Sequence, residues 1–219
     1  MPQWMASLIA ALIGAGIGSV GAVLVGDARK QRAARAERRE LVVQRYLFQL
    51  QDSAESLWYR LKNLAYDDGR LVMEDQYFET TTLYTLGRAL AAERLLALDG
   101  VYPQLETLYP GLGSFLIENQ IDRALGGGFY KYDRLVLAEA VMQRDGDRLR
   151  VSTYIEFRTR YEDQSAGEAE WLAPARQAIQ SITPESTTRL RKRLEDIALR
   201  LSNKTGIPTT LQEPNGDAA

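Results

Sequence analysis

The chain has 219 residues, 45% hydrophobic and 26% charged, and its 27 basic and 29 acidic side chains leave a net charge of −2. It contains no cysteine and no histidine, which excludes disulfides, thiolate chemistry, Cys/His metal centres, Ser-His-Asp arrangements and the usual general base near neutral pH. An enzyme built from it would need carboxylates, Lys, Tyr or a Mg2+ held by Asp and Glu, and no constellation of these assigns a catalytic, cofactor-binding or metal-binding residue.

The stretch from Trp4 to Val25 carries no charged residue. It is long enough to cross a ~30 Å hydrocarbon core at ~1.5 Å per residue. The sequence therefore predicts a transmembrane helix over residues 4–26, with 1–3 as a short extracytoplasmic end. Arg29, Lys30, Arg32, Arg35, Arg38 and Arg39 follow at once. A cleaved secretory signal has the opposite order of charge and apolar run. The positive-inside tendency places the rest in the cytoplasm, so the expected protein is a single-pass component of the cell (inner) membrane. A buried helix of a soluble protein and a cleaved signal are the alternatives. Within the span, Ala6, Ala10, Gly14, Gly18, Ala22 and Gly26 recur every fourth residue and share one helix face. Such a face lets two backbones approach closely in lipid, which predicts self-association or docking on another span. A span merely rich in Ala and Gly would show the same spacing.

Residues 27–39 hold six basic and two acidic side chains, so the remainder holds 21 and 27. A basic collar determines topology and suits an anionic leaflet, at roughly 1 kcal/mol per residue near the surface. The acidic remainder argues against general nucleic-acid binding.

From there the pattern is helical. Val43, Leu47, Leu50, Ala54, Leu57, Leu61 and Leu64 alternate four and three residues apart, a heptad seam that Tyr46, Trp58 and Ala65 widen. This reads as one long amphipathic helix continuing from the span and stopping at Asp67-Asp68-Gly69. The seam fits a coiled coil or the inner face of a bundle helix, and its aromatic width favours the bundle. A second helix spans about 75–98, with Leu83, Leu86, Leu90 and Leu98 on its apolar side, and ends at Asp99-Gly100. Pro103 starts a short helical turn. Residues 112–125 suit one helix, with Ser114 as a possible cap. Gly126 to Gly128, before Tyr130 and Tyr132, read as a bend rather than an anion cradle, since no phosphate-loop spacing accompanies them.

Residues 133–143 read as helix. After Asp145-Gly146, alternation at Leu149, Val151, Thr153, Ile155 and Phe157 suggests a strand, whereas Thr153 and Glu156 have capping-box spacing. A short extended entry and a helix from about Tyr154 is the favoured reading, with a short hairpin near 145–157 the alternative. Residues 168–182 are expected to be helical, with Pro174 kinking the helix or delaying its start. Thr183-Pro184-Glu185 is a start signal for a helix carrying Leu190, Leu194, Ile197 and Leu201 on one face. From residue 203 onward a disordered tail is expected.

The expected fold is thus all-α: a transmembrane helix, a basic segment at 27–39, and a cytoplasmic domain of about five to seven helices over 40–202. The expected function is that of a non-enzymatic interaction or scaffolding module, whose partners are the lipid bilayer and either another protein or a second copy. No nucleic acid, small-molecule substrate or cofactor is implied. An auxiliary or oligomeric subunit of a transport or channel complex is the alternative. A membrane-tethered, Mg-dependent carboxylate enzyme is a further one.

Overall fold

A computed structural model describes residues 30–64, 66–67, 70–71, 76–125, 129–163 and 167–211. The chain divides into two compact units, Met1–Val42 and Val43–Ala219. In the first, residues 30–42 are helical, and Lys30, Arg32, Arg35, Arg38 and Arg39 are exposed. The expected span at 4–26 lies outside the described residues, as do its small-residue face from Ala6 to Gly26 and Arg29. Among the described residues no helix is long and apolar enough to cross a membrane.

Among its described residues the second unit is a bundle of helices with two very small hairpins. It opens with a π-helical turn, Val43–Leu47, that runs into α1, Phe48–Lys62. Of the heptad seam, Leu47, Leu50, Ala54, Leu57 and Leu61 are buried, while Val43 is half-buried and Leu64 lies beyond the helix end. The helix therefore stops before the expected Asp67-Asp68-Gly69. Asp67 belongs instead to strand β1, Tyr66–Asp67, which pairs antiparallel with β2, Arg70–Leu71, while Asp68 and Gly69 lie outside the described residues. The buried face of α1 is wider than the seam and takes in Gln51, Ser53 and Glu55. Two neighbours cause this: α1 packs against both α2, Gln76–Leu98, and α10, Pro184–Thr205.

Helix α2 is the central element. Leu83, Leu86 and Leu90 are buried as their spacing predicts, together with Ala89, Ala91, Ala92, Leu95 and Leu96. Leu98 departs from the expectation and is 52% exposed, whereas Leu95 and Leu96 in the same last turn are buried. There Gly100 adopts φ 62° and Val101 N–H donates to the Leu96 carbonyl at 2.9 Å, the six-residue closure of a glycine-ended helix. Gly87 lets α2 meet α6, Lys131–Ala140, at backbone distance: a Cβ there would fall 2.5 Å from Val141 Cγ2 and 3.0 Å from the Leu137 carbonyl oxygen.

The expected helix over 112–125 is broken in two. After α3, Tyr102–Leu108, come α4, Leu112–Glu118, and α5, Ile121–Ala124. Glu106, rather than Ser114, caps α4, accepting N–H bonds from Gly111 at 2.7 Å and Ser114 at 3.1 Å. The first two N–H groups of α5 donate to Glu93 of α2, at 2.8 Å from Ile121 and 3.4 Å from Asp122. This carboxylate stands where a local capping residue would, and it is supplied by tertiary structure.

The helix expected over 133–143 ends at Ala140, and its last residues become strand β3, Met142–Asp145, paired with β4, Arg148–Val151, from Met142↔Val151 to Asp145↔Arg148. Gly146, at φ 60°, takes the left-handed position the two-residue turn demands. The hairpin and the capped helix both form, in sequence. Helix α7, Tyr154–Glu162, begins with a complete capping box: Glu156 N–H donates to Thr153 Oγ1, and Thr153 N–H donates to Glu156 Oε2 at 2.7 Å. Pro174 marks a late start as the second residue of α9, Ala173–Gln180, which follows α8, Glu168–Trp171. Thr183 caps α10 as expected, accepting from Ser186 N–H at 3.2 Å.

The chain does not become irregular at 203. Helix α10 runs to Thr205, and Gly206, at φ 80°, ends it. Residues 207–211 then cross α1 as a strap. Gln51 Nε2 donates to the Pro208 carbonyl at 3.1 Å, Tyr59 OH to the Thr210 carbonyl at 2.9 Å, and Thr210 Oγ1 to Glu55 Oε2 at 2.6 Å. Leu211 is buried.

Candidate functional site

Among the described aromatic residues Phe129, Phe157 and Tyr161 are buried and several others are half-buried. Phe157 stacks on Tyr161 at 5.8 Å between ring centroids, and Tyr84 lies beside both Tyr154 and Phe157. Trp58 lies under the Arg191 guanidinium at 4.7 Å. A different set is left outside. On α6, Tyr132 and Val136 are one turn apart on one face, and they are 77% and 38% exposed. At the end of the four-residue helix α8, Trp171 is 70% exposed, because the next residue, Leu172, takes the buried position. Val136, Glu139, Ala140, Trp171 and Leu172 line a groove of about 220 Å3. Glu139 is fixed at its edge by the Arg94 guanidinium at 2.5 Å.

Exposed Trp and Tyr beside a partly apolar groove are the residue types that dominate binding energy at protein interfaces. Tyr132 stands out in the sequence beside the glycine run, whereas Val136 and Trp171 do not. The available signal is a lone Trp after the polar stretch Glu168-Ala169-Glu170, followed directly by the Leu that is buried.

The π turn lines a second cleft of about 220 Å3, in which Arg45, Tyr46 and Gln49 face Arg148 and Arg150 of the hairpin. Its charges are largely paired. Arg45 Nη2 and Tyr46 OH donate to Asp99 Oδ2 at 3.0 and 2.6 Å, and Arg150 forks onto both oxygens of Glu156. Burial first, and then the bond to Asp99, push the Tyr46 phenol up to about 12. Although π turns recur at functional sites, this one ties the start of the bundle to Asp99, just past the end of α2.

Among the described residues, no group of three or more Asp, Glu, His or Cys is placed to hold a metal ion. The basic residues Lys30, Arg32, Arg35, Arg38 and Arg39 belong to the other unit, and of the seam Leu47, Leu50, Ala54, Leu57 and Leu61 are interior. Of the residues expected to mediate contacts, the basic residues from Lys30 to Arg39 stand at the surface; Tyr132, to which the sequence assigns no contact, is exposed as well. No family model matches this chain, and neither any characterised protein nor any solved structure matches it.

Proposed function

We propose that this is a single-pass, membrane-anchored helical protein that catalyses no reaction and acts as an interaction module, pairing with a second copy of itself at the cytoplasmic face of the membrane. The observation that carries the reading is the exposed face formed by Tyr132, Val136 and Trp171. Three features make a second copy the favoured occupant. The span at 4–26 has a small-residue face suited to close helix pairing. Two copies tethered in one bilayer meet at an effective concentration in the mM range, so a modest aromatic contact is enough. The heptad seam is enclosed by α2 and α10 of the same chain, which leaves exposed faces such as that of Tyr132, Val136 and Trp171 to associate.

The test is the mass of the full chain in mild detergent, by light scattering. More than one copy per micelle is expected. Replacing Gly14 and Gly18 by Leu, or Trp171 and Tyr132 by Ala, should each shift the mass towards one copy. A full chain that stays strictly monomeric across concentration would overturn the reading.

A further inference from the structure

Residues 30–42 of the first unit are helical, and every residue from Lys30 to Leu41 is exposed. Val42 is the first buried position. A helix this short with no buried face is marginal in water by itself, so what its charges meet decides how it is held.

Helical conformation sorts those charges. At about 100° per residue, Arg32, Arg35, Arg38 and Arg39 fall within one arc of about 120°. Glu37 and Glu40 project about 140–160° from the centre of that arc, and Lys30 lies on their side. As a sequence, the segment is a basic cluster with two glutamates in or beside it. As a helix, it has a face of four arginines with no carboxylate among them, running about 10 Å from Arg32 to Arg39.

Three considerations select the occupant of this face. Guanidinium groups suit phosphate oxygens, which they bind through paired N–H donors. The face starts within two helical turns of the proposed span at 4–26, at the level where a polybasic segment meets anionic headgroups. Its only apolar neighbours are alanines and Leu41, too few to insert into the acyl region, so the contact is one of charge.

We infer that Arg32, Arg35, Arg38 and Arg39 form a face that rests on the anionic phospholipids of the leaflet beside the span, the headgroup phosphates accepting from the guanidinium groups while Glu37 and Glu40 point away. This rests on the proposed membrane anchoring and is independent of the proposed pairing.

The test uses the full chain in phosphatidylcholine vesicles that carry a trace of spin-labelled phosphatidylglycerol or spin-labelled phosphatidylcholine. Electron spin resonance reads how much of each lipid the protein restrains. Phosphatidylglycerol should be preferred about fivefold, the equivalent of one arginine near a headgroup at ~1 kcal/mol. The preference should vanish in about 1 M salt, where the Debye length is about 3 Å. Relocating two arginines by one position, through Arg32→Ala with Ala33→Arg and Arg35→Ala with Ala36→Arg, keeps every charge and the topology signal. It exchanges good helix formers for one another, scatters the face, and should bring the preference close to unity. Glu37→Gln with Glu40→Gln raises the net charge on the opposite side and should leave the preference unchanged. An undiminished preference in the relocated variant, or a marked rise in the glutamine variant, would mean that only the number of charges counts and would overturn the inference. So would a parent chain with no preference, the result expected if the arginines serve an acidic protein surface. A chain that does not float with pure phosphatidylcholine vesicles would sink the anchoring instead. The lipid preference is then read as flotation with phosphatidylglycerol vesicles, in the parent against the relocated variant.

Discussion

Two glutamates show how much a single position depends on what faces it. Glu93 and Glu55 are 9% and 8% exposed, and both accept N–H groups from distant segments. For Glu55, burial pushes the carboxyl up, but hydrogen bonds from Thr210, Gln51 and Thr209 outweigh it and hold the group below its ordinary value. For Glu93 burial wins over the bonds from Ile121 and Asp122, and the carboxyl rises to about 7, with Asp122 raising and Arg123 lowering it. The folded chain thus holds a proton at Glu93 that the unfolded chain loses near 4.5. The stability this group contributes is full below that value and declines as pH rises towards 7, by about 3 kcal/mol for a shift of this size. Glu93→Gln should remove that decline. In urea melts from pH 4.5 to 8, the gap between the variant and the parent should widen in the variant's favour by about 3 kcal/mol, and parallel curves would contradict the assignment. Neither glutamate is distinguished in the sequence from a solvated helix residue, because what buries each is a segment 28 or 155 residues away.

At the scale of the element, local chemistry was legible wherever the terminus was capped from within. Thr183-Pro184-Glu185 starts α10, Asp99-Gly100 ends α2, and Thr153 with Glu156 starts α7, each as the side chains require. Thr153→Ala removes the acceptor for Glu156 N–H and should lower stability by about 1 kcal/mol. Thr153→Ser should restore most of it in the same denaturant titration, and an unchanged midpoint in both would mean the box contributes nothing. Where the cap comes from elsewhere, the element was illegible. The break between α4 and α5 needs Glu93, and the end of α6 needs β4 to pair with what the sequence writes as its last turn. A four-residue strand has too few side chains to impose a period of two against a helical neighbour, so the pairing decided it.

For the whole molecule, the strap of residues 207–211 closes the bundle over α1. It sits where composition alone suggests an irregular tail, since Gly206, Pro208 and the threonines lack apolar periodicity. What orders it is a buried polar row on α1, Gln51 and Glu55, with Tyr59 beside it and Leu211 sealing the end. Ending the chain at Gly206 should cost about 2–4 kcal/mol, the sum of one buried leucine and of hydrogen bonds to the Glu55 carboxylate that water replaces only in part. The loss should be greatest near neutral pH, where Glu55 is charged, and should shrink on acidification, since a neutral carboxyl needs those donors less. Thermal unfolding of the shortened chain at pH 7 and pH 4 measures both, and a loss independent of pH would assign the effect to Leu211 alone.

The sequence by itself determined the helical class of the bundle, the apolar faces of its longest helices and the ends that carry their own caps, because helical periodicity and capping are written within a few residues of where they act. It also set the expectation of a membrane span, whose residues stand outside those the structure describes. Tertiary structure alone decided that the heptad seam is interior, that β3 is a strand, that α5 starts at a carboxylate from α2, that residues 207–211 are held, and that Trp171 and Tyr132 remain outside. Each of these depends on a partner far along the chain, and burial, hydrogen bonding and the ionisation of a side chain are properties of the pair rather than of either residue.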